Sequence, residues 1–358
     1  CYTGRPPKLE SMYNFSPRGI HYMDNVLKGW DKKVVIETEK EEIEFDNFKG
    51  VFDKDERCFG EIDGLSFDNP GVKFIKIKEP ISGIEKLSNP IMVEENPSER
   101  LYWADIHCQT FFSDGLRCPE ELYLFAREES FLDIFAISDH TEALSDAQWS
   151  YFTEVTNHYN QDGKFVTLLG LEWTDSFYGH RNVYYPGENG PILRRGEDDL
   201  KKVYRVAEEY NALVIPHHSA NVKMGVDWSK GHNSEVERLV EIYSIWGNSE
   251  RHERYGNARP IRNHGGEKEG QHVIDALNRG YKFGFVGGGD IHDGRPGDEL
   301  HNLQENPPRY RNLYRQGITG IWAKELTRKE IFKSLWERRC YATSNVRMIL
   351  NFSINGEI

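Results

Sequence analysis

Six short apolar runs recur from residue 101 onward: Leu101–Ile106, Asp133–Ser138, Phe165–Leu171, Leu213–Pro216, Leu239–Val240 and Phe283–Gly288. A run of this length between turn signals reads as a strand buried on both faces, the habit of parallel sheets. Each is followed within two residues by a side chain of ligand chemistry, namely His107, His140, Glu172, His217, Glu241 and Asp290. Side chains at the carboxyl ends of parallel strands converge on one rim of a closed α/β barrel. The pattern therefore predicts imidazoles and carboxylates, distant in sequence, gathered around one point.

The spacing between these runs supplies helices. Pro119-Glu120-Glu121-Leu122 opens one that reaches Ser130, with proline tolerated in the first turn. Asp146–Asn160 has helical spacing, and Asp198–Tyr210 is led by acids that suit the positive end of a helix dipole. Gln271–Arg279 closes at Gly280, and Thr327-Arg328-Lys329-Glu330 is a capping box leading a helix to Arg339. Asn182–Tyr185, Ile318–Ala323 and Met348–Ile354 read as further strands. The alternation predicts an α/β fold whose mostly parallel sheet closes into a barrel.

Residues 1–99 break the pattern. Val34–Glu44 is strand-like, Asp46–Ser66 is rich in Asp and Gly, and Val72–Lys78 interleaves apolar residues with lysines as an edge strand would. Pro80, Pro90 and Pro97 punctuate the stretch up to the first apolar run. This predicts a small β-rich N-terminal module or arm over 1–99 and a barrel over 100–358. Asn221–Gly270 is an irregular insertion carrying Trp228, Trp246, His232, His252 and His264, and reads as a substrate-facing lid.

Composition narrows the chemistry. The 358 residues carry a net charge of −13, which argues against binding nucleic acid with the whole surface. The mean hydropathy of −0.69 and the lack of a long apolar run exclude a membrane span. Five cysteines (Cys1, Cys58, Cys108, Cys118, Cys340) without regular spacing form neither a disulfide framework nor a zinc ribbon. The start at Cys1 and the turn at Asn355-Gly356-Glu357 read as trimmed ends without a signal-like segment. A soluble protein is expected, with the compartment open between cytoplasm and export.

Of the thirteen histidines, His107, His140, His180, His217, His218 and His292 fall in clusters of ligand type. His107 and Gln109 are two apart and share one side of an extended chain, as do Asp290 and His292. Asp114 sits in a turn, Ser113-Asp114-Gly115, that can re-aim its carboxylate. A lone histidine is more often a hydrogen-bonded structural residue than a ligand. Here the joint placement at strand ends outweighs that reading. Asp105, Asp139, His218 and Glu241 are candidates for orienting the ligands. His21, His158, His232, His252, His264, His272 and His301 are assigned to surface or lid.

Asp105-Ile106-His107-Cys108-Gln109-Thr110, Ser113-Asp114-Gly115, Ile137-Ser138-Asp139-His140 and Gly289-Asp290-Ile291-His292 resemble the motifs of the PHP (polymerase and histidinol phosphatase) superfamily. Arg339-Cys340-Tyr341-Ala342-Thr343-Ser344 resembles the end of such domains, so the resemblance spans residues 101–345. It implies a distorted seven-stranded (β/α) TIM-like barrel and a centre of two or three divalent metals, Mn, Zn or Fe. One implied site uses His107, Gln109, Glu172 and Asp290. A second shares Glu172 and adds His180 and His217, with His218 as the alternative to His217. A third uses Asp114, His140 and His292. The chain departs from the family at Gln109, where a second histidine is usual.

Such a centre points to hydrolysis. Paired metals activate water and clamp a phosphoryl group, with Glu172 as the shared carboxylate and Asp290 and His292 as further catalytic candidates. Arg181, beside His180, and Arg295, just past His292, are candidate cationic clamps for the anion, with Arg117 and Lys223 also near the rim. His292 or Asp293 is a candidate proton donor to the leaving oxygen. Cys108 faces away from His107 and reads as structural. The expected function is a metal-dependent phosphoesterase acting on a small anionic ester. The competing expectations are hydrolysis of a sulfate ester, carbon–nitrogen bond or lactone, and a non-catalytic metal-binding barrel.

Overall fold

The computed structural model describes residues 31–49, 51–52, 58–59, 65–297 and 314–352. Cys1, His21, His301 and the turn expected at Asn355-Gly356-Glu357 lie outside them. The chain divides into two compact units, Cys1–Ser98 with Arg347–Ile358, and Glu99–Val346.

The first unit is built of short antiparallel pairings. β1 (Asp31–Glu37) turns back into β2 (Glu42–Lys49), where the sequence suggested a single strand over Val34–Glu44. Thr38 makes the turn: its Oγ1 accepts from Lys40 N at 3.2 Å and Glu41 N at 3.1 Å. Such local side-chain bonds compete with a continuing ladder. β3 (Val51–Phe52) pairs with β4 (Cys58–Phe59), and β5 (Gly71–Lys73) with β8 (Ile91–Val93). β6 (Lys76–Glu79) and β7 (Ile84–Leu87) extend the first pair in the order β2-β1-β6-β7. The expected strand Met348–Ile354 is not formed over Met348–Phe352, and its last two residues lie outside the described ones. The chain turns at Asn345, whose φ of +62° ends the preceding strand.

The second unit alternates strand and helix. It runs β9 (Arg100–Asp105), α1 (Pro119–Leu124, continued by a wide turn to Glu129), β10 (Ile134–Ile137), α2 (Asp146–Tyr159), β11 (Val166–Trp173) and β12 (Arg181–Tyr185). Then come α3 (Leu200–Tyr210), β13 (Leu213–Pro216), β14 (Leu239–Ser244), β15 (Gly247–Asn248), α4 (Val273–Asn278) and β16 (Gly284–Gly287). β17 (Ile318–Ala323), α5 (Arg328–Trp336) and β18 (Cys340–Thr343) complete it. Thr327 caps its helix as expected, accepting from Glu330 N at 3.3 Å, and Ser145 and Asp199 do the same for Gln148 N and Lys202 N at 3.3 and 2.8 Å.

Seven strands form a curled half-barrel sheet in the order β13-β12-β11-β10-β9-β17-β18. Only β9/β10 and β10/β11 are parallel, so the expected mostly parallel, closed barrel is corrected to a mixed one. The reason at β12 is chain length. Its link from β11, residues 174–180, is too short for the crossover of a dozen residues that a parallel partner needs, so β12 returns antiparallel. β15, β14 and β16 form a separate three-stranded sheet, and no hydrogen-bonded ladder closes the ring among the described residues.

Alternate residues sort the core into two layers. Ala104, Ile106, Ala136, Leu168, Tyr184 and Ile215 meet Leu239 and Val286 of the small sheet in one buried cluster, so that face is concave and the small sheet lies across it. Phe135, Leu169, Leu171, Val183 and Tyr185 face the other way, against Tyr123, Phe152 and Val203 of the helices. No described helix is long and apolar enough to cross a membrane.

Candidate metal centre

Strand direction brings the ligands together. β9, β10, β11 and β13 run the same way, and their carboxyl ends deliver His107, His140, Glu172 and His217. β12 runs the other way, so His180, just before its amino end, reaches the same rim. The small sheet is lashed on at this level: Asp290 N donates to His107 O at 2.7 Å and Gln109 N to Ile291 O at 3.1 Å. That approach requires the glycine run, since a Cβ at Gly288 would fall 2.7 Å from His107 Cβ. Asp290 itself has φ +49°, a strained setting of the kind that gathers at functional sites.

Glu172 is the hub. Its Oε1 lies 2.8 Å from His180 Nδ1 and 3.0 Å from His217 Nε2. Its Oε2 lies 3.0 Å from Gln109 Nε2, 3.4 Å from His107 Nε2 and 3.5 Å from His140 Nδ1. His107 Nε2 is also 3.4 Å from Asp290 Oδ1. Among the described residues three sets form, in each of which the ligand atoms lie within 4.8 Å of one another: Glu172, His180, His217 and His218; His107, His217 and Asp290; and Asp114, His140 and His292. In the third set, Asp114 Oδ1 is 3.3 Å from His292 Nε2 and 3.6 Å from His140 Nε2. His217 and His218 both fall in the first set, with ring centroids 4.3 Å apart.

Buried carboxylates hold the frame. Glu241 Oε2 lies 2.9 Å from His107 Nδ1, the partner that orients a ligating imidazole. Asp105 accepts from the backbone N–H of His107 and Gly289, at 3.1 and 2.8 Å. Asp139 accepts from Thr110 N and Oγ1, at 2.9 and 2.8 Å, and from Ser113 Oγ, which fixes the loop after Gln109.

The imidazoles and carboxylates of these sets could hold metal ions. Burial disfavours a charge on Glu172, yet His140 and His217 hold its carboxyl well below the usual range. Burial pushes Glu241 up to about 7, and Asp105 and Asp139 to about 6. Burial also pushes His217 down to about 4 and, with His217 and His180 beside it, His218 well below its ordinary value. Both rings are therefore neutral near pH 7, the form that ligates. Gln109 Oε1, Asp290 Oδ2, His217 Nδ1 and His218 Nδ1 are buried without a hydrogen-bond partner. Unpaired buried acceptors are costly and call for a donor or a cation. A set of imidazoles and carboxylates suits Zn, Mn or Fe.

The structure does not bring Arg181 to the cage. Its side chain points to the opposite face of β12, where Nε donates to Glu237 Oε1 at 2.6 Å and Nη1 to Tyr178 O at 2.6 Å. The clamp expected there is corrected: a guanidinium buried and saturated in this way has nothing left for an anion. Arg295 Nη2 lies 2.9 Å from Asp293 Oδ2 and keeps some exposure. Cys108 lies in the outer core layer, and burial pushes its thiol well up. His232 and His272, expected on surface or lid, are buried against Glu237 and Glu267, at 2.8 and 3.2 Å. Asn182, paired in register with Glu172, has a buried, unpartnered Oδ1 and was not singled out from the sequence. Its position two residues from His180, on the same face, was the available signal.

A curled mixed α/β half-barrel with a histidine–carboxylate rim defines the class. The chain matches the model of the family described as protein of unknown function (DUF3604) over residues 117–261 and 266–355, and belongs to that family. Uncharacterized proteins of Chlamydia pneumoniae and Chlamydia muridarum are each 28% identical to it, over 84% of this chain and 48% of their own. One from Chlamydia trachomatis is 27% identical over the same shares. The chain thus spans about half the length of these curated relatives. Among solved structures, a two-domain protein from Bacteroides vulgatus containing a predicted PHP-like metal-dependent phosphoesterase aligns with a TM-score of 0.48 at 16% identity, covering 70% of this chain and 67% of that one. The lesion-specific endonuclease Q of Pyrococcus furiosus aligns with a TM-score of 0.41 at 11% identity, covering 66% and 56%.

Proposed function

We propose that the chain is a metal-dependent hydrolase of the PHP type, a phosphoesterase that cleaves a small phosphomonoester or phosphodiester. One observation carries this reading. Glu172 is a fully buried carboxylate within 3.5 Å of four imidazoles and an amide, and no lysine or arginine pairs with it among the described residues. A buried charge surrounded by neutral-capable ligands calls for an external cation.

Bound divalent ions would lower the pKa of a water toward neutrality and take up charge on the phosphoryl oxygens. The chain's own groups do the positioning. Glu172 spans the first set and Gln109, Asp290 joins the small sheet to it, and Glu241 fixes the ring of His107. The more exposed set of Asp114, His140 and His292 would face the substrate, with Arg295, ion-paired to Asp293, and Lys223 as cationic candidates for the anion.

The test is metal content by mass spectrometry and anomalous scattering, joined to a screen of phosphate esters with Mn, Zn and Fe. Ester cleavage that Glu172→Gln abolishes is the expected result. Turnover of sulfate esters, lactones or carbon–nitrogen bonds in place of phosphate esters would move the assignment to another bond. Full metal loading without turnover would leave a non-catalytic metal-binding barrel.

A further inference from the structure

The irregular segment 221–270 divides sharply when its aromatic and imidazole groups are followed. Trp228 is fully buried in a core cluster with Val226, Val240 and Val273, and its Nε1 donates to Gln271 O at 2.9 Å. His232 stacks on Tyr281, with centroids 4.0 Å apart, and His252 lies 3.2 Å from Glu267. These three are scaffold. Trp246 and His264 are different. Their ring centroids are 5.0 Å apart, and Trp246 is 6.0 Å from His292 of the third ligand set.

Backbone hydrogen bonds tie both segments down. Ile245 and Trp246 form the two-residue turn between β14 and β15, closed by Ser244 opposite Gly247. Ile245 N donates to Gly289 O at 3.2 Å, which ties the hairpin tip to the backbone just before Asp290. His264 rides a loop whose Gly266 O accepts from Val222 N at 3.0 Å, beside the exposed Lys223. The loops that carry the ligands also expose apolar groups: Phe111 (51%) and Leu116 (74%) flank Asp114, and Phe177 (58%) precedes His180. Large apolar side chains left exposed around one rim mark a binding surface.

We propose that Trp246 is the floor of a ring subsite, so that the substrate is a phosphomonoester whose leaving group carries a flat aromatic ring. The proposal rests on the phosphoesterase reading for the position of the phosphate. The rim itself supplies the rest. A half-buried indole stands edge-to-face with His292, its centroid 6.0 Å away, beside the ligand set nearest solvent. His264 and Lys223 add nitrogen donors on the same side, which complement an anion; burial and the Lys223 ammonium lower the pKa of His264, where Asp290 and His292 are also felt. An indole at a tied-down hairpin tip loses little entropy on binding, so the contact favours a flat ring over a puckered one of equal size.

The test compares benzylphosphonate with cyclohexylmethylphosphonate and ethylphosphonate, which are not hydrolysed, by calorimetry on the manganese-loaded protein. The benzyl compound should bind about three- to tenfold more tightly than the cyclohexylmethyl one, the factor that one ring contact supplies. Trp246→Leu should bring the two to parity. Trp246→Met, which keeps apolar bulk at the hairpin tip, should do the same and guards against a folding defect. Lys223→Ala should weaken all three ligands alike and leave their order unchanged. Parity in the wild type, a preference that survives both Trp246 substitutions, or no binding of any phosphonate would overturn the subsite. Ester turnover is read separately, with benzyl and ethyl phosphate. Ring-selective binding without cleavage of any phosphate ester would sink the phosphoesterase reading and keep the subsite; cleavage indifferent to the ring would do the reverse.

Discussion

At the start of β12, two neighbouring residues face opposite ways, and each meets a fully buried glutamate. Arg181 meets Glu237 on the outer face, with Nε 2.6 Å from Oε1, and His232 Nδ1 lies 2.8 Å from Oε2. His180 meets Glu172 on the rim, among further imidazoles and the Gln109 amide. Glu237 has a permanent cation supplied by the chain. Glu172 has only groups that can be neutral. In the metal-free chain burial opposes a charge on His107 and His140, but Asp290 and Glu172 raise their pKa values, so the charge that answers Glu172 is a proton that a metal ion can displace, unlike the fixed charge of Arg181. The outer pair closes the scaffold, and on the proposed reading the rim takes its positive charge from solution.

The largest effect that separates them is at Glu172. Glu172→Gln should lower ester hydrolysis by about 10³-fold or more, because it strips the carboxylate that lies within 3.5 Å of four candidate imidazoles. Metal content measured on the folded variant should fall with it. Glu237→Gln should instead cost about 3–5 kcal/mol of stability, the penalty for leaving Arg181 buried and unpaired, with ions still bound. Denaturant unfolding of both variants, with and without chelator, reads the difference. If the chelator destabilised wild type and Glu237→Gln by nothing at all, the rim would not be a cation site.

A smaller effect sharpens the same contrast. Glu241→Gln leaves every proposed ligand in place and removes only the partner of His107 Nδ1. Metal affinity should drop about 10- to 100-fold, as for other carboxylates behind a ligating histidine. Titration with a fluorescent chelator measures it. An unchanged affinity would mean that His107 is not a ligand.

Much of this rim was legible in the sequence, because an apolar run followed by His, Glu or Asp is the same signal whichever fold closes around it. The direction of β12 and β17 was not. An apolar pattern is identical read either way along a strand, and only the short 174–180 link betrays the reversal. Arg181 was misread although the rule that corrects it is local: neighbours on a strand face opposite sides, so the residue after a rim histidine points outward. The segment 221–270 was illegible as scaffold because its burial has no period. Trp228 is buried by partners far along the chain, Val273 and Phe283, with its Nε1 on Gln271 O, and no spacing rule announces that. The choice between His217 and His218 dissolves in three dimensions. The φ of +30° at His218 turns the backbone so that both rings stand beside His180.

The smallest expected effect is a dependence on pH, and it differs in sign between rim and scaffold. In the metal-free protein, burial raises Glu241 from 4.5 to about 7, against the pull of His107. A carboxyl raised in the folded state holds its proton more tightly there than when unfolded. Its contribution to stability is whole below about 4.5 and is lost as pH climbs through about 7. Glu237 runs the other way. Burial opposes its charge, but Arg181 and His232 hold its carboxyl below the ordinary 4.5, so its contribution is present above that value and lost only as pH falls through the lower, folded one. Urea unfolding of chelator-treated protein between about pH 5 and 8 should therefore show Glu241→Gln gaining on the wild type as pH rises. Over the same range Glu237→Gln should keep a constant deficit. A flat difference for Glu241→Gln would show that its carboxylate is already answered by charge within the chain, and the rim would then resemble the scaffold after all.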